Sequence, residues 1–280
     1  MRKFRDVFTN LYYRNYPDNF GLEKFLFYYL IKYNLLKSVV NFIKDSKNDN
    51  IYICDVWGER WYDNILVKNI LDSLWVKKNI FFDVIDQNID FYQIWEAKTN
   101  IKINYIEKSF LDINQDKKLD SKYDIIICSE VIEHISSFEK EVFFCNFNYC
   151  LKENWLLVIS CPNWTSIFKN LLVLYKAIKN KRKYFDEEFW NRYWHIDVPT
   201  IAEVSSLFMR KWFSLKKLLP TTISSSTKLN FFNKLITPLL MKILFPFSLF
   251  ISTASCFIWI KEESVDYNKW YNKLDKNFKE

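Results

Sequence analysis

Five short apolar runs separated by segments of helical spacing constrain this chain more than any other feature. They are IYICDV (51–56), NIFFDVID (79–86), KINYIEKSF (102–110), YDIIICSE (123–130) and WLLVISCPN (155–163). Runs of this length and near-continuous hydrophobicity suit strands buried on both faces. Between them, DNILVKNILDSL (63–74) sets Ile65, Leu66, Ile70, Leu71 and Leu74 on one helical stripe. A polar helix is expected over 88–97 and another helix over 137–151. Strand and helix alternating in this way predict an α/β, Rossmann-like, doubly wound and mostly parallel sheet with helices on both faces. Ligands of such sheets sit beyond the carboxyl ends of the strands, near the point where strand order reverses. Asp55, Asp86, Ser129, Glu130 and the pair Pro162-Asn163 stand at those ends.

Ahead of the sheet, LEKFLFYYLIKYNLLKSVVNFIK (22–44) has apolar residues at helical spacing, and KDSKNDN breaks the pattern. The expected organisation is an N-terminal helical extension over 1–48, a main domain over 49–264 and a polar tail over 265–280. Within the main domain, 165–200 is an insertion rich in aromatic and charged residues, and 230–250 an apolar C-terminal helix. No internal repeat or low-complexity linker interrupts the chain.

With half of its 280 residues hydrophobic, the chain can bury a sizeable core. A net charge of +7 is mild, and its one small basic cluster, KNKRK at 179–183, makes a nucleic-acid partner unexpected. Six cysteines without a CxxC pair favour reduced, buried thiols over a disulfide frame or zinc site. No metal constellation is visible. RKFRDVFTN after Met1 lacks the apolar core of a signal peptide, so the expected compartment is the cytoplasm.

The order IYICDVWGERW, NIFFDVIDQN, YDIIICSEVIEHI and LKENWLLVISCPN resembles the class I S-adenosylmethionine-dependent methyltransferases over roughly residues 50–220. The resemblance is to the broad group with an SEVIEH-type motif after the fourth strand. It implies a seven-stranded sheet, S-adenosylmethionine as methyl donor and a small-molecule, sugar or lipid acceptor. It also implies that Asp55 lies near the donor's amino-acid portion, with Trp57 and Gly58 in the turn beside it. Asp86, followed by Gln87, is the expected ribose residue, with Asp83 as the fallback. Ser109 and Phe110 match the adenine-contacting position, where serine departs from the acidic residue often found. Ser129 and Glu130 end the fourth strand beside the methyl group's path. Asp83 and Asp112 otherwise read as solvated residues at strand ends.

One feature of composition bears on that resemblance: two glycines against eleven tryptophans. Average usage of about 7% would give about twenty glycines. The family's turn after the first strand is glycine-rich, because a positive φ and close ligand approach exclude a Cβ. Here Trp57 and Trp61 occupy that turn. Trp75, Trp155, Trp164 and Trp212 likewise fall where a helix C-cap or turn glycine is expected. Two explanations follow. Either the gene uses UGA for glycine and the sequence renders it as tryptophan, or the tryptophans are real. In the second case Trp57 blocks the donor pocket and the protein is a non-catalytic scaffold on the same fold.

For a methyltransferase, catalysis rests mainly on holding nucleophile and methyl in line. A general base is needed only where an O–H or N–H loses its proton. His134 in VIEHI and His195 in RYWHIDVPT are the chain's only histidines and both coincide with family histidine positions. They are the catalytic candidates together with Glu130; His134 also reads as a residue that orients or caps its loop. A nicotinamide-dependent dehydrogenase shares the fold but not SEVIEHI or LLVISCPN. From Ile243 to Ile260 no residue is charged, a length that suits a membrane span. Pro246 interrupts it, and TASCFIWIKE resembles the last strand of the sheet, so the expected arrangement is helix, loop and closing strand. A peripheral membrane contact through 231–247 is a further expectation.

Overall fold

The computed structural model describes residues 4–15, 22–56, 63–88, 101–162, 196–210, 213–222 and 254–261. Its strands are β1 (Asn50–Val56), β2 (Asn79–Asp86), β3 (Ile103–Glu107), β4 (Tyr123–Ser129), β5 (Leu151–Pro162), β6 (Phe213–Thr222) and β7 (Ala254–Lys261). They form one sheet in the order β3-β2-β1-β4-β5-β7-β6. β1 to β5 run parallel, and β7 lies antiparallel between β5 and β6. Consecutive strands step outward from β1 to β3, then the chain returns to place β4 on the other side of β1. That reversal is the switch point of a doubly wound sheet.

The helices are α1 (Phe4–Asn15), α2 (Leu22–Asp45), α3 (Asp63–Ser73), α4 (Ser137–Cys150) and α5 (Ile201–Met209). The pleat sends alternate side chains to opposite faces, so each face has its own core. On one face Ile51, Ile53, Phe82, Ile125, Ile127 and Val158 pack with Leu36, Val39 and Ile43 of α2 and Leu66 and Ile70 of α3. On the other, Cys54, Val56, Ile85, Cys128, Ile159 and Trp259 pack with Phe143, Phe144 and Phe147 of α4 and Phe208 of α5. Cover on both faces explains why all seven residues of β4 are buried. The 22–44 helix is one of the layers that cover the sheet.

Local chemistry accounts for the helix ends. Ser136 caps α4 by accepting from the Glu139 N–H, and Thr200 and Glu203 form a reciprocal capping box at the start of α5. The end of α3 is different. Val76 N–H donates to Leu71 C=O at 3.0 Å and Trp75 N–H to Asp72 C=O at 3.1 Å. Those two bonds define a Schellman motif, whose penultimate position is left-handed and ordinarily glycine. Trp75 occupies it at φ 59° with its side chain 86% exposed. The glycine expected from the sequence at this helix end is thus what the backbone requires.

Trp155 corrects the same expectation. The left-handed residue there is Asn154, at φ 63°, one position earlier. Pairing of β4 with β5 breaks between Leu151 and Leu156, and Trp155 lies in that irregular stretch with its ring 5.5 Å from that of Phe42. Asparagine tolerates the left-handed region, so no glycine is needed at 155. Trp57, Trp61, Trp164 and Trp212 lie outside the described residues.

The strand expected at the end of 243–260 is present as β7, hydrogen-bonded on both sides, so Ala254–Lys261 belongs to the sheet and not to a membrane-spanning helix. Among the described residues no helix is long and apolar enough to cross a membrane. The 231–247 segment, the 88–97 helix and most of the 165–200 insertion lie outside the described residues.

Candidate functional site

The carboxyl ends of β1, β2, β4 and β5 bring Asp55, Asp86, Ser129 and Ser160 to one face of the sheet, that of α2 and α3. The pleat dictates this, because each of these residues is an even number of positions from a residue of that face's core: Asp55 from Ile53, Asp86 from Phe82, Ser129 from Ile127 and Ser160 from Val158. All four are buried. Asp55 of β1 and Ser129 of β4 flank the switch point, and the charge of Asp86 on β2 acts on Asp55.

α3 adds Asp63, its first residue, and α2 adds Lys32. The Lys32 ammonium donates to Asp63 Oδ2 at 2.5 Å and to Ser129 Oγ at 3.1 Å, and Ser129 Oγ lies 2.8 Å from Ser160 Oγ. Both members of the ion pair are almost wholly inaccessible. Burial raises the Asp55 pKa well above the ordinary aspartate value; Asp63 and Asp86 add to the rise, and Lys32 opposes it. Burial raises Asp63 as well, again against Lys32. This carboxylate-rich cluster, the candidate pocket, is held out of water and favours any ligand that supplies positive charge.

The two candidates for the ribose position separate by face. Asp86 is the last residue of β2 and faces the pocket, where its Oδ1 accepts from the Asn88 N–H at 3.0 Å. Asp83 is an odd number of positions away and faces the other layer. It accepts from Tyr123 Oη at 2.8 Å and Asn104 Nδ2 at 3.1 Å, and it pairs with Lys122. The expectation of a solvated Asp83 is therefore wrong: it is 6% exposed and ties β2 to β3 and β4. Asp112 is exposed, as expected, and so is Gln87.

Ser109 caps the 3-10 turn Phe110–Gln115 by accepting from the Leu111 N–H. Phe110 is the first residue of that turn. The ring is enclosed at 5.1 Å from Phe143 and 4.9 Å from Phe147, with no exposed surface. Asn146 of α4 fixes the turn by donating to the Phe110 and Leu111 carbonyls at 2.6 and 2.9 Å.

After β4, Glu130 adopts φ 57° while its N–H donates to Ser160 C=O at 2.9 Å. A non-glycine residue held left-handed at a strand end costs about 1–2 kcal/mol and is characteristic of functional loops. His134 closes the 3-10 turn Ile132–His134, with its side chain 31% exposed. Trp57, Gly58 and His195 lie outside the described residues. The segment that follows His195 is nevertheless anchored to the same loop: Ile196 and Asp197 N–H groups both donate to Glu133 C=O, at 2.9 and 3.1 Å. Lys140 then holds Asp197 through its carboxylate at 2.6 Å and its carbonyl at 2.8 Å. Burial alone would raise the Asp197 pKa, but the hydrogen bonds from Lys140 and Ser137 outweigh it and leave the group below its ordinary value.

No family profile matches the chain. It is 32% identical over 83 residues to the ubiquinone biosynthesis O-methyltransferase of Rickettsia prowazekii (strain Madrid E), covering 30% of this chain and 31% of that protein. The protein of that name from Rickettsia typhi (strain ATCC VR-144 / Wilmington) is 34% identical over the same length, with the same coverage. These matches span about a third of the relatives' length. The crystal structure of magnesium protoporphyrin IX methyltransferase from Synechocystis PCC 6803, with bound SAH, superposes with a TM-score of 0.53. That likeness covers 92% of this chain and 98% of the other, at 13% identity. The fold is the class I methyltransferase fold.

Lys32 is the pocket residue that motif reading misses, because it belongs to the helix ahead of the motifs of the class I methyltransferase fold. Its signal is positional: Lys32, Leu36, Val39 and Ile43 fall on one helical stripe, and the last three are core. A lysine in phase with a buried stripe is out of place unless it meets a charge.

Proposed function

We propose that this chain transfers a methyl group from S-adenosylmethionine to an oxygen of a small, apolar or lipid-like acceptor. One observation carries the reading: Asp55, Asp63 and Asp86 converge, buried, at the switch point of a class I methyltransferase fold with Lys32 among them. A methyl donor bearing a sulfonium and an α-ammonium suits such a pocket, and a dinucleotide's phosphates do not. The orphaned Asp63 Oδ1, buried without a hydrogen-bond partner, marks a place where a ligand donor fits.

In this reading Asp86 takes the ribose hydroxyls, with Gln87 beside it, and Asp55 faces the amino-acid portion. Ser109 and the Phe110 backbone border the adenine. When bound, the methyl donor supplies an electrophilic carbon whose bond to sulfur breaks as the acceptor oxygen attacks, leaving a neutral thioether. The acceptor O–H proton passes to His134 or His195; Ile196 and Asp197, the residues after His195, are held on the carbonyl of Glu133, the neighbour of His134. Glu130, at the crest of β4, orders that loop. The relatives' name supports oxygen as the acceptor atom. Phe138 and Ile196, 94% and 63% exposed, flank the Ser137–Asp197 contact and support an apolar acceptor over a sugar. In the same reading the protein works in the cytoplasm, and the 231–247 segment touches the membrane surface.

Calorimetric titration with S-adenosylmethionine tests this on two forms of the chain: as written, and with glycine at 57, 61, 75, 164 and 212. Micromolar binding by either form supports the methyltransferase. Binding by neither form overturns it in favour of a scaffold.

A further inference from the structure

We propose that Asp197 and Lys140 are positioning residues for the transfer step: together they fix the loop after β4 that carries His134. The proposal rests on the methyltransferase reading above and deepens it on the acceptor side. Taken alone, this loop is weakly built. Glu130 is held left-handed, and the 3-10 turn Ile132–His134 that follows opens on Val131 without a side-chain cap. Backbone bonds close the turn, from His134 N–H to Val131 C=O at 2.9 Å and from Ile135 N–H to Ile132 C=O at 3.2 Å. A single turn of this kind holds its shape poorly without outside support.

The support comes from Ile196 and Asp197, far along the chain. Both N–H groups donate to Glu133 C=O, at 2.9 and 3.1 Å. That oxygen belongs to the planar peptide unit joining Glu133 to His134, so two donors on it constrain where the His134 backbone, and with it the imidazole, sits. Asp197 is tied back to the first turn of α4. The Lys140 ammonium donates to its carboxylate at 2.6 Å and its carbonyl at 2.8 Å, and Ser137 Oγ donates to the same carboxylate oxygen. The path from Glu133 through Asp197 to Lys140 therefore closes a ring that contains His134. Lys140 is 4% exposed, and a lysine so enclosed is tolerated only where its charge is met. An anchor for the approach to α5 alone needs the ion pair but not the two bonds on the Glu133 carbonyl.

The test uses the full chain with its histidine side chains isotopically labelled for NMR. His134 and His195 give two sets of imidazole signals, and His134→Gln identifies the set that belongs to His134. The double variant Lys140→Met/Asp197→Asn removes both charges of the pair, so that no lone buried charge compromises folding. In it the amide hydrogens at 196 and 197 are expected to exchange at least about tenfold faster. The His134 signals are expected to move towards those of the urea-unfolded chain. Ser137→Ala removes one donor to Asp197 and leaves the ion pair in place, and it should move the same signals in the same direction by less. Affinity for S-adenosylmethionine, by calorimetry, stays within about twofold in both variants, because the pair lies on the loop and not among Asp55, Asp63 and Asp86. Faster amide exchange with the His134 signals unmoved makes the pair an anchor for α5 only and overturns the proposal. No binding of S-adenosylmethionine by the unmodified chain, as written or with the glycines, defeats the methyltransferase reading itself.

Discussion

Val76 donates its N–H to the carbonyl of Leu71 at 3.0 Å, closing the end of α3 around a tryptophan in a left-handed conformation. A Cβ in that region costs about 1–2 kcal/mol. Because the indole is almost fully exposed, its removal forfeits little packing. Trp75→Gly is therefore expected to stabilise the chain by about 1 kcal/mol after the entropy glycine loses on folding. Trp75→Ala, which keeps the Cβ, is expected to gain nothing. Urea unfolding midpoints at constant m-value check both.

The same position bears on how the gene is decoded. A codon read as glycine in the source cell puts glycine at 75, and mass spectrometry of the native peptide containing Asp72–Val76 is expected to show it. Tryptophan in that peptide ends the idea.

Much of the fold was legible because strands buried on both faces must be apolar throughout, as in Tyr123–Ser129, and because the segments between them keep helical spacing. Pleat parity was less visible. Asp83 and Asp86 sit in one run, and only knowing which face α2 and α3 cover assigns Asp83 to the Tyr123 side and Asp86 to the pocket. Trp155 was misread because asparagine at 154 meets the same backbone demand as glycine one residue later. Lys32 lay in phase with Leu36 and Val39, but its partner Asp63 is far along the chain, and no local pattern links them.

Asp83 and Asp86 are expected to fail differently when replaced. Asp83→Ala strands the buried Tyr123 hydroxyl and removes the partner of Lys122 and of the exposed Asn104 amide, a loss of about 2–3 kcal/mol in stability. Its effect on donor affinity should be small wherever the chain remains folded. Asp86→Ala removes a pocket carboxylate and is expected to change stability by about 1 kcal/mol or less while donor affinity falls at least about tenfold. Unfolding curves and donor titrations on the two variants separate them.

Donor binding is expected to release protons. Asp55 and Asp63 have pKa values raised by burial above the ordinary aspartate value. Without ligand, the folded state therefore holds protons that the unfolded chain has lost. Stability then falls as pH rises from about 4, the unfolded value, through the raised folded values. A cationic ligand beside Asp55 favours its ionised form and reverses the shift. Affinity should accordingly rise with pH across that window. Titrations in two buffers of different ionisation enthalpy measure the release directly; identical heats in both would contradict it.

Thiol chemistry offers a separate check on the packing. All six cysteines are free, and Cys145, on the outer side of α4, is the exposed one. Burial pushes the Cys150 and Cys256 thiols up to about 12 and holds Cys54, Cys128 and Cys161 well above the usual thiol value. Only the thiolate attacks a disulfide reagent, so inaccessibility and a raised pKa act together. At pH 8 the folded chain is expected to react rapidly at Cys145 alone, and all six thiols should react in guanidinium. Cys145→Ser should abolish the fast phase while leaving donor binding unchanged, because Cys145 faces solvent away from the Asp55–Lys32 pocket. A second fast thiol in the folded chain would mean that one of the five buried cysteines is less enclosed than the two-faced sheet requires.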